Sequence, residues 1–317
     1  MPLKHRNTED SFGGFLKFIM KKIFLISCTL SVYLVNAQEL YVFTEAASNR
    51  PAKSIGARLG YKSFKMTHDN KYSAYRLDPE IILGVSKKIT VNLNGYASNM
   101  FQSNLKVEGA GIGAKYRFFS RDDIHSHFRL AAFGKISVIN NPTVLNSIGK
   151  HEIPDGNGGV IVHDIIHTTI NSEIDIEGTN SGLSTGVIAT KLVNKLAVSS
   201  SIGYLYRLNN LHNKREVIAP WRAINYSLSA GYLLFPKEYT SYKQTNVNLY
   251  TEFLGSNTWD DKKYFIDIAP AIQFIIKSIA RVDIGYRTQI SGNTQRMANS
   301  AFLLRVEYNF LNVFSKK

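Results

Sequence analysis

A chain of 317 residues with 44% hydrophobic, 20% charged and 12% aromatic side chains has the make-up of a folded protein, one large domain or two small ones. Its formal charge of +14 suggests nucleic acid, but the basic residues are spread along strand-like runs and not gathered on one helix or tail, which excludes that partner. The only cysteine, Cys28, excludes a disulfide framework.

Residues 1–19 carry Asn7, Asp10 and two glycines, do not extend a signal sequence, and read as a non-native N-terminal extension. Residues 20–37 read as a signal peptide. Lys21 and Lys22 supply the basic start, Ile23 to Val35 the apolar run, and Val35-Asn36-Ala37 the small residues of a cleavage site. The apolar run is too short to cross a bilayer as a helix. Cys28 lies too close to Lys22 for a lipid-modified cysteine. Cleavage after Ala37 removes Lys4, Arg6, Lys17, Lys21 and Lys22 against Glu9 and Asp10, a net +3, and leaves a mature chain of about +11. Residues 38–52 read as a periplasmic lead-in, with a strand-like stretch over 39–47.

From Ser54 onward one unit recurs: about ten residues of apolar/polar alternation, then a break rich in Asn, Asp, Gly, Ser or Lys. Ile224 to Leu234 places Ile, Tyr, Leu, Ala, Tyr and Leu on one face and Asn, Ser, Ser and Gly on the other. Period two means strand. The pattern predicts twelve strands, near 53–66, 74–86, 88–99, 105–119, 124–140, 181–193, 195–208, 222–235, 244–254, 263–276, 278–289 and 300–314. The connections alternate between short and long, and the longest covers 141–180. An all-β, transmembrane, antiparallel up-and-down β-barrel has this asymmetry between periplasmic turns and outer loops. The barrel is expected over 53–314, with a short tail at 315–317 and both termini in the periplasm.

Phe302 to Phe310 separates such a barrel from a soluble sandwich: its apolar face is continuous and ends in aromatics, while the other face carries Arg305 and Glu307. A lipid-facing strand with a wet lumen needs this division. Tyr96, Tyr116, Phe118, Tyr204, Tyr226, Tyr232, Phe274 and Tyr308 sit near strand ends, where an interfacial girdle wants them. The opposite face then lines the lumen. It carries Arg58, Asp78, Glu80, Lys115, Arg117, Arg129, Lys135, Asp267, Arg281, Asp283, Arg287, Arg305 and Glu307, together with Lys62, Arg76, His127, Arg207 and Glu252.

The pieces Leu40 to Asn49, His125 to Gly134, Ala189 to Asn194 and Phe302 to Phe310 resemble outer-membrane β-barrels of Bacteroidota bacteria that are loosely labelled transporters or porin-like proteins. The resemblance runs from about Gln38 to Phe314 and implies a Gram-negative outer-membrane location and a barrel fold, with membrane lipid and the barrel-assembly machinery as partners. It brings no catalytic motif. The chain ends Phe314-Ser315-Lys316-Lys317, so the aromatic of the usual assembly signal is not the last residue.

Two functional readings stand side by side. Basic side chains in the lumen favour a narrow pore or transporter for small polar or anionic solutes. Cross-pairing of Asp267, Arg281, Asp283, Arg305 and Glu307 would instead fill the lumen, leaving a non-conducting barrel that acts as a structural or partner-binding scaffold. Twelve strands lie between filled and open barrels, so size does not decide. Histidine with carboxylate is a divalent-metal donor set, which draws attention to His151, His163 and His167 in the long loop. A solvated outer loop with incidental histidines is the preferred reading, and no metal or cofactor is expected. Ser126 and His127 beside Asp122 and Asp123 suggest a hydrolase, but adjacent strand residues point to opposite faces. No catalytic site, and no enzyme activity, is expected.

Overall fold

The computed structural model describes residues 41–66, 74–102, 104–123, 126–142, 144–154, 160–170, 172–211, 219–237, 241 and 243–314, of which 144–154 and 160–170 are described by backbone alone. The first five strands are β1 (Ser54–Met66), β2 (Ala74–Gly84), β3 (Ile89–Ser98), β4 (Lys106–Asp122) and β5 (Ser126–Ile139). A separate two-stranded hairpin follows, β6 (Val144–Pro154) with β7 (Val160–Ile170). The chain continues through β8 (Gly182–Val193), β9 (Leu196–Arg207), β10 (Arg222–Phe235), β11 (Thr245–Thr258), β12 (Tyr264–Ile276), β13 (Ala280–Gly292) and β14 (Ala298–Phe310).

All strands except β6 and β7 form one closed barrel of twelve, in the order β1-β14-β13-β12-β11-β10-β9-β8-β5-β4-β3-β2. Every neighbouring pair is antiparallel and sequential, apart from β5 with β8 across the hairpin and the seam of β1 with β14. Closure leaves no unpaired strand edge, a condition for crossing hydrocarbon with strands. These twelve strands are the twelve expected from the alternation. The β1 start and the β14 end share one rim with the short turns, here called the near rim. Between β12 and β13 the turn is made at Lys277 and Ser278, with φ of 51° and 59°. Left-handed residues of this kind match a tight turn to the twist of its strands.

The molecule is apolar outside and polar within. Its outer wall carries Leu59, Ile81, Leu93, Ile112, Val187, Ile202, Leu228, Leu249, Ile284 and Val306, all exposed. Tyr61, Tyr116, Phe118, Tyr204, Tyr226, Tyr232, Tyr264, Tyr286, Tyr308 and Phe310 stand exposed with them. A soluble monomer does not display so continuous an apolar surface. The fully buried side chains, by contrast, include Arg281, Gln273, Glu108, Glu252, Glu307, Asp267 and Asp283. Tyr96 corrects one sequence expectation: it is buried, 3% exposed, and shares the lumen face of β3 with Thr90, Asn92 and Asn94. Its even-numbered parity with Asn92 and Asn94 carried that information.

Leu228, at mid-strand in β10 and 52% exposed, tests the lipid-facing assignment. Leu228→Arg is expected to destabilise the barrel by about 2–4 kcal/mol in equilibrium folding into bilayers, the range for a cation at mid-depth.

Candidate functional site

Strand register brings the charges of the lumen together. Arg58 of β1 lies opposite Glu307 of β14 and Glu80 of β2, and Glu307 lies opposite Arg281 of β13. One row therefore runs Glu80, Arg58, Glu307, Arg281, alternating in sign across four strands. The contacts follow: Arg58 Nη1 to Glu80 at 2.7 Å, Arg58 Nε to Glu307 at 2.8 Å and Arg281 Nη2 to Glu307 at 2.9 Å. In the next row Asp283 faces Arg305, with Nε of Arg305 at 2.9 Å, and also accepts from Gln273 Nε2 at 2.9 Å. Arg281 Nε reaches the same Asp283 at 3.2 Å. Cross-strand opposites in register are the pairs a sheet stabilises.

Onto this network folds the segment 41–52, the expected periplasmic lead-in. It runs up from the near rim and crosses the lumen. Glu252 of β11, with no exposed surface, accepts the backbone N–H groups of Val42, Phe43 and Thr44 at 2.8, 2.9 and 2.9 Å. Thr190 Oγ1 on β8 accepts from Ala47 N at 2.9 Å, and Lys115 Nζ on β4 donates to the Ala46 carbonyl at 2.7 Å. Arg129 of β5 donates to Ser48 Oγ at 2.7 Å, Arg305 to the Val42 carbonyl, and Arg50 pairs with Glu307 at 2.6 Å. Tyr41 packs edge-on against Tyr250, with ring centroids 5.5 Å apart. The segment has no strand partner of its own; side chains of β4, β8, β11 and β14 satisfy its backbone. It is a plug.

A second segment enters from the other side. After β7, residues 172–181 turn into the barrel with their own alternation. Ile174 and Ile176 pack on Leu205 of β9 and Ala223 of β10. Glu173, Asp175 and Glu177 face the opposite wall. Glu173 pairs with Arg296 at 2.9 Å, Asp175 with Arg76 at 3.2 Å, and Glu177 with Lys135 at 2.9 Å and Lys62 at 3.7 Å. Lys135 foremost, helped by Lys62, holds the Glu177 carboxyl well below the usual carboxylate range. Burial would raise Asp175, but Arg76 outweighs it and the carboxyl is held low. Lys115 foremost does the same for Glu45 on the plug. The far part of the segment is stitched to the wall by Asn141 and Asn210, whose Nδ2 groups donate to the Gly178 and Thr179 carbonyls at 2.6 and 3.0 Å.

Between plug and inserted loop lies a chamber of about 390 Å³. Its lining includes Lys62, Arg76, Lys115, Lys135, Arg287 and Arg296 alongside Glu45, Glu173, Asp175 and Glu177, with Phe43, Phe64, Phe133 and Phe265 among them. Arg296 stacks over the Phe265 ring at 4.0 Å while reaching Asp267 at 2.9 Å.

Of the residues expected in the lumen, Arg58, Glu80, Arg281, Asp283, Arg305 and Glu307 form the near-rim network. Lys62 and Asp78 pair at 2.8 Å, and Arg287 pairs with Asp267. Lys115, Arg129 and Lys135 hold the two inserted segments. Arg117 stands apart at the near rim, where it donates to the Lys87 carbonyl at 2.8 Å. The structure adds Arg50, Glu45, Glu108, Glu173, Asp175, Glu177 and Arg296. Glu108, 2.9 Å from Arg76, was hidden by a register shift between β3 and β4 at Tyr96/Ala97, which breaks its parity with Lys115. The others lie outside the twelve expected strands, and the alternation of 173–177 alone did not place that run in the lumen. In the hairpin, His151 lies opposite His163 and His167 opposite Ser147; the metal reading of their side chains falls outside the described residues. Ser126 and His127 remain consecutive on β5.

The chain matches no protein-family model, and no curated protein sequence matches it. Its structure superimposes on an outer membrane channel from Pseudomonas putida F1 with a TM-score of 0.53 at 9% identity, over 85% of this chain and 100% of that one. The two share the fold of a closed antiparallel β-barrel. Looser likenesses, which carry no argument, are the NanC porin (TM-score 0.43, 12% identity, 81% of this chain and 98% of that one) and the CymD monoaromatic hydrocarbon channel (0.41, 11%, 81% and 88%). The barrel and its exposed apolar belt belong in the outer membrane.

Glu252→Ala is expected to release the plug. Each charge-assisted hydrogen bond contributes about 1.5–3 kcal/mol, so amide exchange at Val42, Phe43 and Thr44 should accelerate at least about tenfold by hydrogen–deuterium exchange. The Asp175 and Glu177 carboxyls are held low, so their docking is complete above the ordinary carboxylate range and is lost progressively as pH falls below that range toward the depressed values. Exchange in residues 172–177 should follow only the intrinsic chemistry of exchange from pH 7 to 5, and loss of protection should begin below about pH 4, where free carboxylates take up protons.

Proposed function

We propose that the protein is a passage for small polar solutes across the outer membrane, held nearly shut by a plug from the near rim and an inserted loop from the far rim. The observation that carries this reading is the chamber of about 390 Å³ within a closed barrel. Its charged lining is what a water-filled path tolerates and lipid does not. The near rim is assigned to the periplasm and the far rim to the outside, following the short and long connections. Insertion is assigned to the barrel-assembly machinery. Catalysis is no part of the proposal.

The paired lumen charges and the plug favour a second reading, a non-conducting scaffold. Single-channel recording of the refolded chain in planar bilayers separates the two. Under the passage reading the wild type gives small, infrequent openings, and Glu252→Ala gives openings at least several-fold more frequent or larger. Silence from both proteins, with folding verified by heat-modifiable gel mobility, would establish the scaffold.

A further inference from the structure

The inserted loop has the form of an internal ligand. Its three acids sit at alternate positions, Glu173, Asp175 and Glu177, and each ends on a cation of the barrel wall or rim. The isoleucines between them face the other way. Lys62, Arg76, Lys135, Arg287 and Arg296 thus converge on one short run of carboxylates. The wall's own acids in this cluster, Asp78, Glu108 and Asp267, leave two of the five positive charges uncompensated. The loop's three acids reverse that balance. All five cations also line the chamber, so they remain next to solute-accessible space. Gly178 allows the close seating. Its φ is +116°, and a Cβ there would lie 2.6 Å from Arg76 Nε and 2.7 Å from Cζ.

We propose that this cationic wall is a binding site for a small solute bearing two or three carboxylates, and that residues 173–177 occupy it as a stand-in that such a solute displaces. The exchange swaps like for like, carboxylate for carboxylate on the same guanidinium and ammonium groups, so no buried cation is left unpaired. A monocarboxylate replaces one contact while forfeiting the rest and does not compete. The same charge excess also ties the site to the passage reading, as the place where a solute pauses during transit.

The test uses the full mature chain in detergent at low salt, with citrate as the probe and acetate as the control, read by isothermal titration calorimetry. Glu173→Gln/Asp175→Asn/Glu177→Gln removes the stand-in charges and keeps every wall cation, and is expected to bind citrate at least about tenfold more tightly than the wild type. Gly178→Ala, which unseats the loop by backbone strain and contact with Arg76, should act in the same direction. Lys62→Ala/Lys135→Ala in the triple background should lose the gain. Equal citrate affinity in the wild type and the triple variant, or acetate binding as tight as citrate, would overturn the proposal. Conductance of the same proteins keeps the two readings apart. A barrel that binds citrate but never conducts supports the site and defeats the passage, whereas an open channel indifferent to citrate defeats the site alone.

Discussion

The constraint on which this structure depends is that a charge enclosed in the barrel must find a partner of opposite sign. Taking one member from a buried pair leaves the other uncompensated, at a cost of several kcal/mol. The row Glu80, Arg58, Glu307, Arg281 meets the condition by register alone, because antiparallel neighbours bring alternating signs face to face. That row ties β2, β1, β14 and β13 together across the closing seam. An apolar interior would have closed the barrel equally well, but it could not have received a polar backbone.

Receiving backbone is what the lumen does. The plug has no ladder partners, so its amides and carbonyls depend on Glu252, Thr190, Lys115 and Arg305. The inserted loop uses the same logic with side chains: isoleucines toward Leu205 and Ala223, acids toward the basic wall. Both are held by ionic and hydrogen-bonded contacts and not by a broad apolar face, and such contacts respond to pH, salt and competing ions more than buried hydrocarbon does.

The barrel was legible in the sequence because period-two alternation runs through most of each wall strand, and because Arg305 and Glu307 on one face of an otherwise apolar strand fixed which side is wet. The cross-pairing of Asp267, Arg281, Asp283, Arg305 and Glu307 was one of two open readings. The structure pairs Arg281, Asp283, Arg305 and Glu307 with one another, whereas Asp267 turns to Arg287 and Arg296. The plug was not legible, since residues 41–47 alternate well enough to pass for a strand while nothing local records that no edge is free to pair with them. Charges on the twelve expected strands were counted and the acids that meet the basic ones, Glu45, Glu173, Asp175 and Glu177, were not, because they lie in segments read as a lead-in and an outer loop and nothing local shows that these turn into the lumen. An anion-selective lumen was the natural reading of half the charges.

Lys53 joins the plug to the wall. Its amide donates to the Gly84 carbonyl at 2.6 Å, its carbonyl accepts from Val313 at 3.0 Å, and its φ is 60°. The base of the plug and the residues that follow β14 are therefore riveted at one residue of the rim. A plug that leaves the lumen cannot be shed. It would swing on that rivet as a tether whose described part, residues 41–52, reaches at most about 40 Å when fully extended. The same rivet keeps its tip at high local concentration beneath the opening, so re-closure is an intramolecular event whose speed does not depend on how much protein the membrane holds.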